Sequence, residues 1–102
     1  MDAKTFIKNE LSKDKVVIFS KTYCPYCTDV KKLFKNLGVS ASIVELDDKQ
    51  YVLQELGKQT GAATVPRVFI NSEFVGGCDD CYSYAKSGKL QKLLTAAGIT
   101  VK

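Results

Sequence analysis

The chain has 102 residues, of which 45% are apolar and 25% are charged, and its formal net charge is +4. This length suits one domain with one core, and the composition excludes wholesale disorder. The absence of histidine excludes Ser-His-Asp triads, Cys-His proteases and histidine-ligated metals. The charge is too small for a nucleic-acid-binding patch. The four cysteines form two Cys-x-x-Cys pairs and are therefore the first candidates for chemistry.

No apolar segment of the chain has the length of a signal peptide or a membrane span. The longest apolar run, residues 16–19, suits a buried strand. We therefore expect a cytoplasmic protein that does not enter membranes. In a reducing compartment, four cysteines indicate catalytic, metal-bound or inert thiols more often than structural disulfides.

The N-terminal half predicts two helix–strand units. Apolar residues at helical spacing predict a helix over residues 3–12, and a β-branched run predicts a strand over residues 16–20. Pro25 then stands where the first helical position would be. The apolar stripe that follows it predicts a second helix over about 25–37, and residues 43–46 predict a second strand.

The C-terminal half predicts a third helix, a hairpin and two more helices. Asp47 and Asp48 can cap the third helix, which Gly57 weakens and Gly61 ends. The later elements are the hairpin over residues 67–76 and helices over residues 78–86 and 90–97. Because a helical crossover joins the first two strands, they should be parallel, whereas the hairpin is antiparallel. The expected architecture is α/β, with a mixed four-stranded sheet and helices on both faces.

The first Cys-x-x-Cys pair follows a buried strand and opens a helix. The unpaired N–H groups at a helix N-terminus favour the thiolate of Cys24 over its thiol, and Lys21 adds positive charge nearby. Cys27, one turn further, is close enough to resolve a disulfide formed at Cys24. An isolated pair could equally be half a zinc site or two buried residues, but the strand–loop–helix context favours redox chemistry.

Residues 16–37, with Cys24-Pro25-Tyr26-Cys27, resemble a glutaredoxin of the dithiol type. Three further segments agree with that family, namely Thr60-Gly61, Thr64-Val65-Pro66-Arg67-Val68-Phe69-Ile70 and Val75-Gly76-Gly77-Cys78-Asp79-Asp80. The resemblance covers nearly the whole chain and implies a single glutaredoxin domain over residues 1–102 with a thioredoxin-like fold. Thioredoxin itself is a poorer match, because its signature contains a tryptophan that this chain lacks.

The resemblance also implies a function. It is that of a glutathione-dependent thiol-disulfide oxidoreductase, which reduces protein–glutathione mixed disulfides and protein disulfides. Glutathione is then the reducing co-substrate, and no metal or permanently bound cofactor is needed. The implied partners are glutathione and glutathionylated or disulfide-bonded proteins, and the implied state is a monomer.

The resemblance further implies where glutathione binds. A cis Val65–Pro66 bond would face Cys24, and the N–H groups of Cys78 and Asp79 would hold the γ-glutamyl carboxylate. Lys21 would pair with the glycine carboxylate. The implied glutathione-binding residues are Lys21, Tyr26, Thr64, Val65, Pro66, Gly77, Cys78 and Asp79.

The second pair, Cys78 and Cys81, leaves alternatives open. Acidic neighbours disfavour a thiolate, so we expect Cys81 to be a buried helix residue; the other possibility is regulatory oxidation. The two pairs together form a four-cysteine zinc pattern, but their separation of 50 residues far exceeds the usual roughly 15–20. Some glutaredoxins carry an iron–sulfur cluster as a glutathione-bridged dimer. Pro25 disfavours that function here, since cluster-binding relatives usually have a smaller residue at this position.

Overall fold

The apolar strand segments form the centre of a four-stranded sheet in the computed structural model, which describes residues 1–102. The elements in chain order are α1 (Ala3–Ser12), β1 (Val16–Ser20), α2 (Pro25–Asn36), β2 (Ser42–Glu45), α3 (Gln50–Thr60), β3 (Arg67–Ile70), β4 (Glu73–Gly76), α4 (Cys78–Ser87) and α5 (Lys89–Ala96). None of the five helices has the length and apolarity needed to cross a membrane.

The strands lie in the order β2-β1-β3-β4. β1 pairs with β2 in parallel, whereas β1–β3 and β3–β4 are antiparallel. The predicted mixed sheet is therefore confirmed, together with its parallel crossover and its hairpin. The hairpin turns at Asn71 and Ser72, whose φ values of 54° and 68° suit a two-residue turn between antiparallel strands.

Both faces of the sheet are covered, so all five residues of β1 are buried. Because side chains alternate along a strand, Val16 and Ile18 join one hydrophobic cluster, and Val17 and Phe19 join the other. The first cluster includes apolar residues of α2, α4 and α5, and the second includes those of α1 and α3. This arrangement confirms the expected helices on both faces, and it leaves the C-terminal end of β1 to lead into the loop before α2.

The predicted start of the third helix was wrong. Its N-cap is Lys49, which makes no side-chain capping hydrogen bond, and the helix begins at Gln50. Asp47 does not cap it, because its carboxylate instead accepts hydrogen bonds from the backbone N–H and hydroxyl of Thr22. The helix ends at Gly61 as expected, since this residue has a φ of +94° that disfavours other side chains.

Candidate active site

Cys24 is the N-cap residue of α2, directly after the loop that leaves β1. Its Sγ accepts a hydrogen bond from the backbone N–H of Cys27 at 3.3 Å, so the sulfur takes the place of a capping oxygen. Pro25 occupies the first turn, where its missing N–H costs no hydrogen bond. Cys24 is partly exposed, which leaves this sulfur accessible to a disulfide substrate.

Cys27 lies in the first turn of α2 and is fully buried. Burial and the neighbouring Cys24 together raise the pKa of its thiol to about 11. Hydrogen bonding to the backbone of Lys21 and the side chain of Ser20 opposes this rise. Ser20 is the one buried polar residue of the chain, and it is the last residue of β1.

A second wall of the site is the turn that precedes β3. The Val65–Pro66 peptide bond is cis, as the resemblance implies. The carbonyl oxygen of Val65 lies 3.8 Å from the Sγ of Cys24. Next in the chain, Arg67 donates hydrogen bonds to the hydroxyl of Thr64 and the carbonyl of Pro66. Burial lowers the pKa of Arg67, and the charge of Asp80 opposes that shift.

The third wall is the N-terminus of α4. Asp79 and Asp80 stand in its first turn, where carboxylates are favoured by the helix dipole. The Asp80 carboxylate accepts a hydrogen bond from the backbone N–H of Gly77 at 3.2 Å. Burial raises the pKa of the Cys78 thiol, and the negative charges of Asp29 and Asp79 add to that rise. Cys78 is therefore protonated at neutral pH and is a poor second nucleophile.

These walls enclose an open cavity of about 390 Å³ beside Cys24. Seven of the eight residues implied for glutathione lie together in its lining, and two others join them. The full lining is Tyr26, Thr64, Val65, Pro66, Arg67, Gly77, Cys78, Asp79 and Asp80.

Lys21 is the implied residue that does not line this cavity. Its Nζ lies 5.8 Å from the centre of the Tyr23 ring, and its charge helps to lower the pKa of Asp47. The sequence-based prediction also missed Arg67 and Ser20 as parts of the site. The available signals were that Arg67 is the chain's only arginine and adjoins Pro66, and that Ser20 is a polar residue ending an apolar strand.

One residue of the second cysteine pair, Cys81, belongs to the core of the protein. Cys81 is fully buried within the hydrophobic cluster that includes α2 and α5. Burial, together with the charge of Asp80, raises the pKa of its thiol to about 12. No three His, Cys, Asp or Glu side chains come together as metal ligands, so the four cysteines do not form the zinc site that their spacing formally allows.

Known proteins match this chain over most of its length. A family model described as glutaredoxin matches residues 16–75. A glutaredoxin from Ricinus communis is 48% identical over 99 residues, which is 94% of this chain and 97% of that protein. The holo form of glutaredoxin C1 from Populus tremula x tremuloides superposes with a TM-score of 0.89 at 41% identity, covering 93% of this chain and 97% of that one. A buckwheat glutaredoxin–glutathione complex superposes with a TM-score of 0.88 at 39% identity. The match covers 94% of this chain and 90% of the buckwheat chain.

Proposed function

Since the chain belongs to the glutaredoxin family and is a glutathione-dependent thiol-disulfide oxidoreductase, we propose that it reduces protein–glutathione mixed disulfides and protein disulfides. Cys24 is the nucleophile and Cys27 the resolving cysteine. The observation that carries this proposal is the placement of the Cys24 Sγ at the helix N-terminus, 3.8 Å from the carbonyl oxygen of Val65, a residue that lines the cavity.

The mixed-disulfide reaction needs only Cys24. Its thiolate attacks the glutathione sulfur of the substrate, so a Cys24–glutathione disulfide forms while the substrate disulfide breaks. The protein thiolate leaves and takes a proton from water. A second glutathione thiolate then attacks the glutathione sulfur bound to Cys24, which releases glutathione disulfide and restores the Cys24 thiolate.

Protein disulfides require Cys27 as well. After Cys24 has formed a mixed disulfide with the substrate protein, the Cys27 thiolate attacks the Cys24 sulfur and releases the reduced substrate. The resulting Cys24–Cys27 disulfide is reduced by two glutathione molecules, which leave as glutathione disulfide. Because the pKa of Cys27 is about 11, few molecules carry its thiolate at neutral pH, and this favours the route through Cys24 alone.

Glutathione binding by this chain is supported from two directions. The buckwheat relative, at 39% identity, is a glutathione complex. In this chain the cavity beside Cys24 combines the cis Val65–Pro66 turn with the N-terminus of α4. A turn of this kind can pair with an extended peptide, and a helix N-terminus is suited to a carboxylate. Glutathione offers both features. The comparisons favour neither the zinc module nor the iron–sulfur carrier.

The test compares single-cysteine variants with a glutathionylated peptide as substrate. Cys24→Ser should abolish its reduction, whereas Cys27→Ser should retain it and lose only the reduction of protein disulfides. Cys81→Ala is the matched control, because it removes a cysteine that lies outside the cavity. Equal losses in the Cys24 and Cys27 variants would contradict the roles assigned to them, and an inactive wild-type protein would contradict the function itself.

We further propose that the protein works as a monomer in the cytoplasm. All four thiols are free, which suits a reducing compartment, and the site is complete within one chain. Cell fractionation and sedimentation equilibrium of the reduced protein test the two statements; enrichment in an organelle or a stable dimer would contradict them.

A further inference from the structure

Arg67 is the only arginine among the fifteen basic residues of the chain, and it lines the cavity. It is half-buried, yet none of the three ion pairs in the structure includes it. A partly desolvated guanidinium without a carboxylate partner is costly unless its N–H groups are used by other acceptors. Those acceptors indicate what the residue does.

The guanidinium spans the turn before β3 with three hydrogen bonds. Its Nη2 donates to the Thr64 hydroxyl at 2.9 Å, and its Nε donates to the Pro66 carbonyl at 3.2 Å. Its Nη1 reaches the Thr60 hydroxyl at the end of α3 at 3.5 Å. The side chain therefore holds Thr64 and Pro66, which flank the Val65 carbonyl opposite Cys24.

The guanidinium also lies near Gly77, the N-cap residue of α4. A Cβ atom added to Gly77 would lie 3.3 Å from the Arg67 Nη2 and 3.4 Å from the Pro66 carbonyl oxygen, so a side chain there would crowd the guanidinium. The guanidinium carbon lies 5.1 Å from the centre of the Phe74 ring on β4, a distance at which a cation is attracted to the ring. Arg67 thus lies next to both the Val65 turn and the start of α4.

We propose that Arg67 is a positioning residue that fixes the spacing between the Val65 turn and the Gly77 turn, the two walls between which glutathione is held. This inference rests on the proposed function. The role depends on the planar fork of donors, because one guanidinium reaches Thr64, Pro66 and Thr60 at once. A lysine ammonium carries the same charge but cannot reproduce that geometry.

The test uses Arg67→Lys and Arg67→Gln in a Cys27→Ser background, so that no resolving cysteine can act on a disulfide formed at Cys24. We expect both variants to slow the glutathionylation of Cys24 by a glutathionylated peptide about tenfold, since each loses hydrogen bonds made by a charged group. Alkylation of Cys24 by iodoacetamide, which does not use the cavity, should keep its wild-type rate. Lys92→Gln, which removes an exposed charge on α5, is the matched control.

Hydrogen exchange gives a readout that does not depend on catalysis. In both Arg67 variants the amides of Thr64, Val65, Arg67 and residues 76–78 should exchange faster than in Lys92→Gln, while β1 keeps its protection. This measurement also shows that the variants are folded.

Three outcomes would overturn the inference. A lysine variant with wild-type glutathionylation would mean that only the charge matters. A parallel loss of alkylation would mean that Arg67 acts on Cys24 itself, and unchanged rates in both variants would mean that the contact is idle. None of these outcomes touches the proposed function, which fails only if the wild-type protein does not reduce the glutathionylated peptide.

Discussion

The carboxylate of Asp47 accepts two hydrogen bonds from Thr22, one from its backbone N–H at 3.0 Å and one from its hydroxyl. Asp47 follows β2, and Thr22 lies in the loop that carries Cys24, so the contact joins the sheet to the active-site loop. Both hydrogen bonds lower the pKa of Asp47, and the charge of Lys21 lowers it further. The loop before the nucleophile is therefore anchored by an ionised carboxylate.

Replacing this carboxylate should lower stability in a pH-dependent way. A group whose pKa is depressed on folding stabilises the native state above its unfolded value, about 3.9 for aspartate, and the effect is lost as pH falls through the folded value. Asp47→Asn should therefore show a lower urea midpoint than wild type at pH 7, and the gap should narrow at pH 3. Asp48→Asn, at an exposed neighbouring carboxylate, is the control. A gap that is the same at both pH values would contradict the charged role of Asp47.

Ser20 should assist the resolving step, because its hydrogen bonding lowers the pKa of the buried Cys27. Ser20→Ala removes that contribution, so the pKa of Cys27 rises above about 11. Each pKa unit added lowers the fraction of Cys27 present as thiolate about tenfold at neutral pH. A thiolate of higher pKa is also a better nucleophile, and this recovers about threefold of the rate. Closure of the disulfide should therefore be about threefold slower for each pKa unit added. The measurement is stopped-flow closure of the Cys24–Cys27 disulfide from glutathionylated Cys24, between pH 6 and pH 9.

The control for this experiment is Ser12→Ala, at an exposed position of α1. Glutathionylation of Cys24 should be unchanged in Ser20→Ala, because that step does not use Cys27. If closure keeps its wild-type rate and pH profile in Ser20→Ala, the buried hydroxyl has no part in resolving the disulfide.

Features encoded by neighbouring residues could be predicted from the sequence. The apolar stripe that follows Pro25 predicted α2, because the helical spacing of apolar residues is a local pattern. The hairpin could be predicted because Asn71 and Ser72 separate two short strand segments. Most residues of the cavity lining could be predicted from the family motifs at Thr64–Pro66 and Gly77–Asp79. The sheet then brings these two segments beside Cys24.

Contacts between distant segments could not be predicted in the same way. Asp47 was interpreted as a helix cap because capping patterns are local, whereas its true partner, Thr22, is 25 residues away. Arg67 was part of a recognised motif, but its role depends on Gly77 and Phe74, which only the hairpin brings beside it. Such pairings depend on sheet register, and the spacing of residues along the chain does not encode it.

The sequence predicted only that Gly57 weakens α3, whereas the structure shows that a side chain at this position would be too close to Ala63. A Cβ at this position would lie 2.8 Å from the Ala63 Cβ and 3.0 Å from the Ala63 Cα and backbone N, just before Thr64. Gly→Ala within a helix ordinarily stabilises by up to about 1 kcal/mol, but overpacking against backbone costs about 1–3 kcal/mol. Gly57→Ala should therefore lower the free energy of unfolding and slow glutathionylation of Cys24. Gln54→Ala, on the exposed face of α3, is the control; a stabilised and fully active Gly57→Ala would contradict the close packing.

Cys81 should contribute stability that is lost in alkali. Its pKa rises from 9.0 to about 12 on burial, and a group whose folded pKa is raised stabilises fully below its unfolded value and progressively less above it. Cys81→Ala should cost about 1 kcal/mol at pH 7 through the small cavity it leaves. Above pH 9 the free energy of unfolding of the wild type falls by about 1.4 kcal/mol per pH unit because of this thiol. The variant lacks the thiol, so its free energy of unfolding does not fall for this reason. The two proteins should therefore become equally stable near pH 10 in reductant-containing urea titrations. A gap that stays constant from pH 7 to pH 10 would show that Cys81 is not held as a buried neutral thiol, and a role in redox chemistry would then have to be reconsidered.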